Sequence, residues 1–277
     1  MYRIKAYEIP EATRIARGRA VVNIVPIAQD EKINTLMPIQ HDMRGTIAFA
    51  TRNGLIKKTR LSEFNHINKN GKIAIKLNEG DDLMSVVLTT GHNEIMIASR
   101  SGKCIRFDER HIRTMGRDTA GVKAMKLEKN DCLVDMLVVD ETKDVLTVTS
   151  NGYGKRSDID DYRVQGRAGK GIKAGIFNEV TGYLVNMKQV TDNDDVMLIS
   201  DNGTIIRMHC EGISHIGRNT KGVRLMRLRS GAVATVALTA RDEDEAAEAL
   251  AEAAPEVIPA PAAIEADKGL GIDEIDE

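Results

Sequence analysis

A motif of about fifty residues recurs four times along this chain and constrains its fold more than any other feature. Each copy contains an apolar run, a turn that ends in glycine, and a short segment that carries a cation. The turn glycines, 48, 50 and 51 residues apart, are Gly54, Gly102, Gly152 and Gly203. A second set of glycines, at steps of 50, 50 and 51, is Gly71, Gly121, Gly171 and Gly222. Repeats of this length are typical of stacked or radial units that bury a shared core.

Each repeat predicts about four short strands. In the second copy the apolar runs are Ile95–Ser99, Cys104–Phe107, Val122–Leu127 and Leu133–Val139. The polar-glycine pairs between the first two runs of each copy are typical of hairpin turns. We expect only single helical turns besides, at Leu61–Phe64 and Asp108–His111. The sequence therefore predicts an all-β, propeller-like ring of four-stranded blades.

The first forty residues resemble a repeat that lacks its opening. Tyr2–Lys5, Val21–Pro26 and Ile33–Ile39 take the places of the later strands, and Arg17-Gly18 takes the place of the second glycine. We divide the chain into a domain over 1–240, with a partial repeat at 1–40 and repeats from about 47, 95, 145 and 196, and a tail over 241–277. The missing opening strand favours a piece of a longer polypeptide.

The charge is divided unevenly between these two parts. Residues 241–277 hold 13 acidic and 2 basic residues, which leaves 37 basic and 28 acidic residues in 1–240, a net charge of +9. A basic body suits a polyanionic partner, and an acidic tail rich in Ala, Glu and Pro is expected to be disordered. The tail is either a solubilising end or a regulatory segment.

Several function classes lack support. We find no membrane-spanning run and no signal peptide, and the odd number of cysteines argues against a disulfide framework, so we expect a cytoplasmic protein. The sequence shows no catalytic triad or phosphate-loop spacing, and His209, Cys210 and His215 have no second ligand pair for a metal. We expect no catalytic residue, no metal and no cofactor in this chain.

Two groups of cations suggest contact with nucleic acid. The loop before the second glycine places Gly-Arg four residues ahead of a glycine in three repeats, a combination that suits phosphate. Strand cations follow the turn glycines, although charges on exposed strands also discourage edge pairing. Aromatic residues make up only 3% of the chain, which argues against base stacking and favours the duplex backbone.

The motifs then resemble one family. YRIKAYEIPEATRIARGRAVVNIVPI, NGLIKKT, NGYGKRS, GRNTKGV and the acidic tail are similar to the C-terminal domain family of the DNA gyrase A subunit, over essentially all of 1–240. The resemblance implies a β-pinwheel, a six-bladed ring whose neighbouring blades exchange strands. It also implies that duplex DNA wraps around a basic rim with positive handedness, so that strand passage introduces negative supercoils.

The resemblance further implies partners and a signature loop. The partners are double-stranded DNA, the B subunit, and the breakage-reunion part of the A subunit, while ATP and Mg²⁺ serve the rest of that enzyme. The family's Gln-Arg-Arg-Gly-Gly-Lys-Gly box belongs to a blade upstream of Met1. Its nearest echo is the box-like loop Gln165, Gly166, Arg167, Ala168, Gly169, Lys170 and Gly171.

The DNA-binding candidates from both groups of cations are Arg17, Arg19, Lys57, Lys58, Arg106, Arg117, Lys155, Arg156, Arg167, Lys170, Arg207, Arg218 and Lys221. Two alternatives stay open. One is the C-terminal domain of the topoisomerase IV A subunit, which shares the repeats but lacks the box. The other is a propeller that binds proteins, which would expose apolar patches. Location at the bacterial nucleoid would follow from the gyrase resemblance.

Overall fold

The computed structural model describes residues 1–12, 18–27, 31–40 and 43–241. Apart from Arg241, all described residues lie in one compact unit, Met1–Ala240. Every strand in the described part of the chain lies in this unit. The predicted disordered tail, apart from Arg241, lies outside the described residues.

Among the residues that the structure describes, fifteen strands build four antiparallel sheets in a propeller-like arrangement. The strands are β1 Thr46–Thr51, β2 Leu55–Arg60, β3 Leu83–Thr89, β4 Glu94–Ser99, β5 Lys103–Asp108, β6 Val122–Lys123, β7 Leu133–Val138, β8 Asp144–Thr149, β9 Tyr153–Ser157, β10 Ile172–Lys173, β11 Leu184–Val190, β12 Asp194–Ser200, β13 Ile205–His209, β14 Val223–Arg224 and β15 Val233–Ala240. The sheet orders are β3-β1-β2-β6, β10-β5-β4-β7, β11-β8-β9-β14 and β13-β12-β15. The predicted all-β fold of four-stranded repeats is confirmed.

Neighbouring blades exchange a strand, as the family resemblance implies. The short strands β6, β10 and β14 each belong to one repeat but pair with β2, β5 and β9 of the repeat before it. We call these three the crossing strands. The fourth sheet has three strands among the described residues. Because each crossing strand completes its neighbour's sheet, the blades are linked by backbone hydrogen bonds as well as by packing.

The apolar cores lie between blades, which explains the uninterrupted apolar runs of the sequence. In β4, Ile95 and Ile97 face a core shared with the first blade. Met96 and Ala98 face the opposite core, shared with the third blade. Side chains alternate between the two faces of a strand, so a central strand between two cores carries apolar residues at successive positions.

In the second, third and fourth repeats the second glycine stands where a crossing strand meets the preceding blade. Gly171 has a φ of +71°, and a Cβ there would lie 2.4 Å from the carbonyl oxygen of Cys104. Gly222 has a φ of +77°, and its Cβ would lie 2.6 Å from the carbonyl oxygen of Gly154. Only glycine combines left-handed backbone with so close an approach. These glycines therefore allow close contact with the backbone of a neighbouring strand.

The described residues contain the two short helical turns that the sequence predicts and four that it does not. The 3-10 helices are Ala6–Glu8, Val21–Asn23, Leu61–Phe64, Glu109–His111, Ile159–Asp161 and Cys210–Gly212. The predicted single turns near 61 and 109 are confirmed. No helix in the described part of the chain is long and apolar enough to span a membrane.

Three predicted strands are wrong and a fourth is wrong in its length. The described residues of 1–40 form no strand, although Tyr2–Lys5, Val21–Pro26 and Ile33–Ile39 were expected to do so. A strand needs a neighbour for its backbone groups, and this segment instead packs Met1 and Met37 onto the core of the first blade. The run Val122–Leu127 is extended only over β6, because its remaining residues turn into the core between blades.

Candidate nucleic-acid interface

The cations that recur four residues after each turn glycine are mostly buried. Lys58 and Arg106 are 5% exposed and Arg156 is 6% exposed. Each side chain reaches from its own blade to the 3-10 helix of the next repeat. Arg106 donates to the carbonyl of Ile159 at 3.3 Å, and Arg156 donates to the carbonyl of Ile213 at 3.1 Å. The expectation that these strand cations form an exposed charged surface is wrong, because they connect adjacent blades.

Each of these cations also meets a carboxylate. Arg106 contacts Glu94 and Glu141, and Arg156 contacts Asp144 and Asp192. Arg207, the copy in the fourth repeat, is more exposed and lies 2.6 Å from the buried carboxylate of Asp195. A cation removed from water needs such a partner, so the pairs are part of the fold.

The pair of Lys58 and Glu109 is the most deeply buried. The ammonium of Lys58 donates to the Glu109 carboxylate at 3.1 Å and to the Glu109 carbonyl at 3.0 Å. The other carboxylate oxygen accepts from the N–H groups of Gly91 and Asn93. Burial acts to raise the pKa of Glu109, but these N–H groups and the ammonium outweigh it and hold the pKa below its ordinary value.

Lys57 and Lys155 are also buried, but their ammonium groups bind backbone carbonyls and not carboxylates. The ammonium of Lys57 donates to the carbonyls of Gly116, Arg117 and Ala74 at 2.8, 2.6 and 2.8 Å. Lys155 donates in the same way to the loop at 217–220. Burial lowers the pKa of each lysine to about 8. Both were expected to face solvent, and the structure instead places them beneath the Gly-Arg loops of the following blade.

The arginines of the three Gly-Arg loops bridge between repeats. Arg167 donates to the carbonyl of Lys123, and Arg218 donates to the carbonyl of Lys173. Arg117 donates to the carbonyl of Ile73, the matching position of the first repeat, at 3.2 Å. All three are half-buried. The sequence predicts that these arginines bind phosphate. In the structure each arginine donates to a carbonyl of a neighbouring repeat and so links the two repeats.

Other cations of the chain are exposed to solvent. Lys170 and Lys221 are exposed in the Gly-Arg loops, and Arg19 is exposed near the chain start. Arg17 lies outside the described residues. A further set of cations was not predicted from the sequence. The last residue of each crossing strand is exposed in all three: Lys123, Lys173 and Arg224. These residues stand two positions after the second glycine, at steps of 50 and 51, so the repeat spacing could have found them.

No group of three or more His, Cys, Asp or Glu side chains suited to a metal occurs among the described residues. His209 instead lies 2.6 Å from Asp195 and His215 lies 3.2 Å from Asp144.

The sequence profile of the DNA gyrase C-terminal domain, a beta-propeller family, matches residues 1–40, 45–90, 93–140, 143–179 and 194–239. This chain belongs to the DNA gyrase C-terminal domain family. The DNA gyrase A subunit of Halalkalibacterium halodurans is 53% identical over 247 residues, which is 88% of this chain and 30% of that protein. The chain therefore spans less than a third of the length of the curated relatives that it matches.

Two solved folds resemble this gyrase C-terminal domain about equally. A DNA gyrase A C-terminal domain has a TM-score of 0.75 at 25% identity, covering 86% of this chain and 78% of its own. A topoisomerase IV C-terminal domain has a TM-score of 0.76 at 25% identity, covering 85% and 75%. The fold is thus shared by both enzymes, and the sequence relatives place the chain with the gyrase A subunit.

The box-like loop of this gyrase C-terminal domain is bonded closely to its neighbours. The N–H of Gln165 donates to the carbonyl of Arg106 at 2.7 Å, and the N–H of Ala168 donates to the carbonyl of Ala124 at 2.8 Å. Ala168 has a φ of +68°, a left-handed conformation that is uncommon for a residue with a Cβ. The fold holds the backbone of this loop, and Lys170 is its exposed cation.

Proposed function

We propose that this chain is a non-catalytic DNA-wrapping domain of a gyrase A subunit, which bends duplex DNA around its blades and so directs strand passage to negative supercoiling. The observation that carries the proposal is the repetition of exposed cations at one position of three successive crossing strands. Because the crossing strands take the same place in each of these sheets, their last residues occupy the same place on each blade. They therefore present one cation on each of the first three blades to a long polyanion.

The energetics favour a bent duplex over a straight one. A smooth bend of 40–90° over 20–30 base pairs costs on the order of 1–6 kcal/mol, so a wrapping surface must offset that amount with many phosphate contacts. Cations spaced blade by blade provide such contacts without reading bases, as in other backbone-only binders. We expect weak sequence preference and steep salt dependence.

The test measures DNA topology. The chain is incubated with relaxed plasmid and a nicking-closing topoisomerase, and the linking number is compared with that of plasmid alone. A rise in linking number is the expected result, since a positive wrap is fixed when the nick is closed. An unchanged linking number with intact duplex binding would exclude wrapping by this chain, and absence of binding would reject the proposal.

A triple variant tests the crossing-strand cations. Lys123→Gln, Lys173→Gln and Arg224→Gln together should abolish the linking-number shift and lower the salt slope of duplex binding by about 2.7, at about 0.9 per phosphate contact. The matched control neutralises three exposed cations in other turns, Lys69, Lys129 and Arg229. An equal loss in the control would show a diffuse charge effect and would contradict the assignment to the crossing strands.

We also propose that the domain binds the rest of its A subunit, the breakage-reunion part, which in the assembled enzyme works at the bacterial nucleoid with the ATP- and Mg²⁺-using B subunit. Apolar side chains of the first forty residues are exposed, with Tyr7 at 78% and Leu36 at 79%. The chain covers only 30% of a relative's length, so most of such a protein lies outside it. Tyr7→Ser with Leu36→Ser should weaken association with a separately produced breakage-reunion part in sedimentation. Unchanged association would reject this contact.

A further inference from the structure

The Gly-Arg loops are of two kinds, and the difference follows one strand position. Three residues after the turn glycines the chain carries Lys57, Ile105, Lys155 and Ile206 in turn. The loop that lies over Lys57 is Gly-Arg-Asp-Thr at 116–119, and the loop over Lys155 is Gly-Arg-Asn-Thr at 217–220. The box-like loop over Ile105 reads Gly-Arg-Ala-Gly at 166–169. A buried lysine thus accompanies the loops that contain threonine.

The contacts around Lys155 show what the lysine does. Its ammonium donates to the carbonyl of Gly217 at 3.0 Å, to the hydroxyl of Thr220 at 3.1 Å and to the carbonyl of Arg218. The Thr220 hydroxyl in turn donates to the Gly217 carbonyl at 2.8 Å. Lys57 makes a related set of bonds: its ammonium donates to the carbonyls of Gly116 at 2.8 Å and Thr119 at 3.3 Å, and the Thr119 hydroxyl donates to the Gly116 carbonyl at 3.0 Å. All three protons of the Lys155 ammonium are directed at one loop.

The box-like loop is held by other means. A Cβ at Gly169 would lie 3.5 Å from the Cδ1 of Ile105, so an apolar side chain supports that loop from below. Its backbone is fixed through the bond from Ala168 to Ala124. The lysine is therefore a specific feature of the loops at 116–119 and 217–220 and is not needed to form a Gly-Arg loop.

We propose that Lys57 and Lys155 are positioning residues for DNA binding, which turn the loop carbonyls inward so that the outer surface of each loop accepts phosphate. This inference rests on the proposed DNA-wrapping function. Carbonyl oxygens carry partial negative charge and repel a phosphate, and an ammonium beneath the loop fixes them on its inner side. Lys221, which is exposed directly after the loop at 217–220, would then bind phosphate without competing oxygens.

A double-mutant cycle separates positioning from simple stability. Lys155→Met should weaken binding of a short duplex by about threefold to tenfold in the wild-type background, which corresponds to a coupled pair of contacting groups. In the Lys221→Gln background the same substitution should change affinity less than about twofold, because the phosphate contact that it positions is already lost. Equal effects in both backgrounds would overturn the proposal, since a purely structural role predicts additivity.

Two further variants guard against misfolding. Thr220→Val removes one acceptor of Lys155 from the loop side and should show the same coupling to Lys221 with a smaller loss of affinity. Ile206→Met changes the equivalent strand position of the last repeat and should leave affinity unchanged. If Lys155→Met does not fold, Thr220→Val decides alone, and additivity with Lys221→Gln rejects the inference.

Failure of the positioning role is distinguishable from failure of the proposed function. If the unmodified chain binds no duplex, the DNA-wrapping function itself is wrong. If the unmodified chain binds, Lys221→Gln weakens binding and Lys155→Met does not, then only the positioning role is wrong.

Discussion

Replacing Glu109 by glutamine is expected to destabilise the domain by about 3–5 kcal/mol, the range for removing one partner of a buried ion pair. The Glu109 side chain is fully buried, and the Lys58 side chain is 6% exposed. A glutamine amide must direct its NH2 group either at the Lys58 ammonium or at the N–H groups of Gly91 and Asn93, all of which are donors. The substitution therefore leaves a buried cation without its counter-charge and adds a clash of donors.

The measurement is the free energy of unfolding by chemical denaturation, with Glu141→Gln as the control. Glu141 also pairs with a blade-linking cation, Arg106, but its side chain is 77% exposed. Exposed pairs contribute at most about 1 kcal/mol, so the control should remain close to wild type. Similar losses in both variants would show that the position of the carboxylate, buried or exposed, does not matter.

The same pair predicts a pH dependence. The pKa of Glu109 is lower in the folded protein than in the unfolded chain, so its contribution is fully present above the ordinary glutamate pKa. That contribution is lost as the pH falls below about 4.5 and through the lower folded pKa. Glu109→Gln should flatten the loss of stability in this acid range, and an unchanged acid slope would assign it to other carboxylates.

Replacing Gly171 by alanine is expected to destabilise the domain by at least about 2 kcal/mol, because left-handed backbone alone costs about 1–3 kcal/mol for a residue with a Cβ. The added Cβ would also lie 2.4 Å from the Cys104 carbonyl oxygen and 2.7 Å from the methyl carbon of Met125. Neither backbone can retreat freely, since β10 pairs with β5 at this point. We expect the crossing strand to detach, which hydrogen exchange at Ala174 would report, because the N–H of Ala174 donates to the Gly102 carbonyl at 2.8 Å.

Gly166→Ala is the matched control in the same loop. A Cβ at Gly166 meets nothing within 4 Å, so this change should alter stability by less than about 0.5 kcal/mol. Its DNA affinity should also stay close to wild type. If Gly166→Ala were as damaging as Gly171→Ala, the close approach between blades would not be the cause.

The burial of the cations in the candidate site could not be predicted from the sequence. The repeated cations at Lys58, Arg106 and Arg156 look in sequence like a charged surface, because a strand residue gives no sign of which face a neighbouring blade will cover. The structure pairs them with carboxylates of their own or the next repeat. The spacing that found these cations applies equally to Lys123 and Lys173, which remain exposed.

The repeat length, the glycine positions, the antiparallel hairpins and the family could be predicted from the sequence, because each is carried by short motifs of residues close together in the chain. The burial of the cations could not be predicted, since Lys58 and Glu109 are 51 residues apart and meet across a blade boundary. Gly171 is a similar case, because a Cβ at this position would clash with a strand of the preceding repeat. Residues close together in the sequence determine the strands and turns of a blade. The exposure of a side chain depends on which surface the next blade covers.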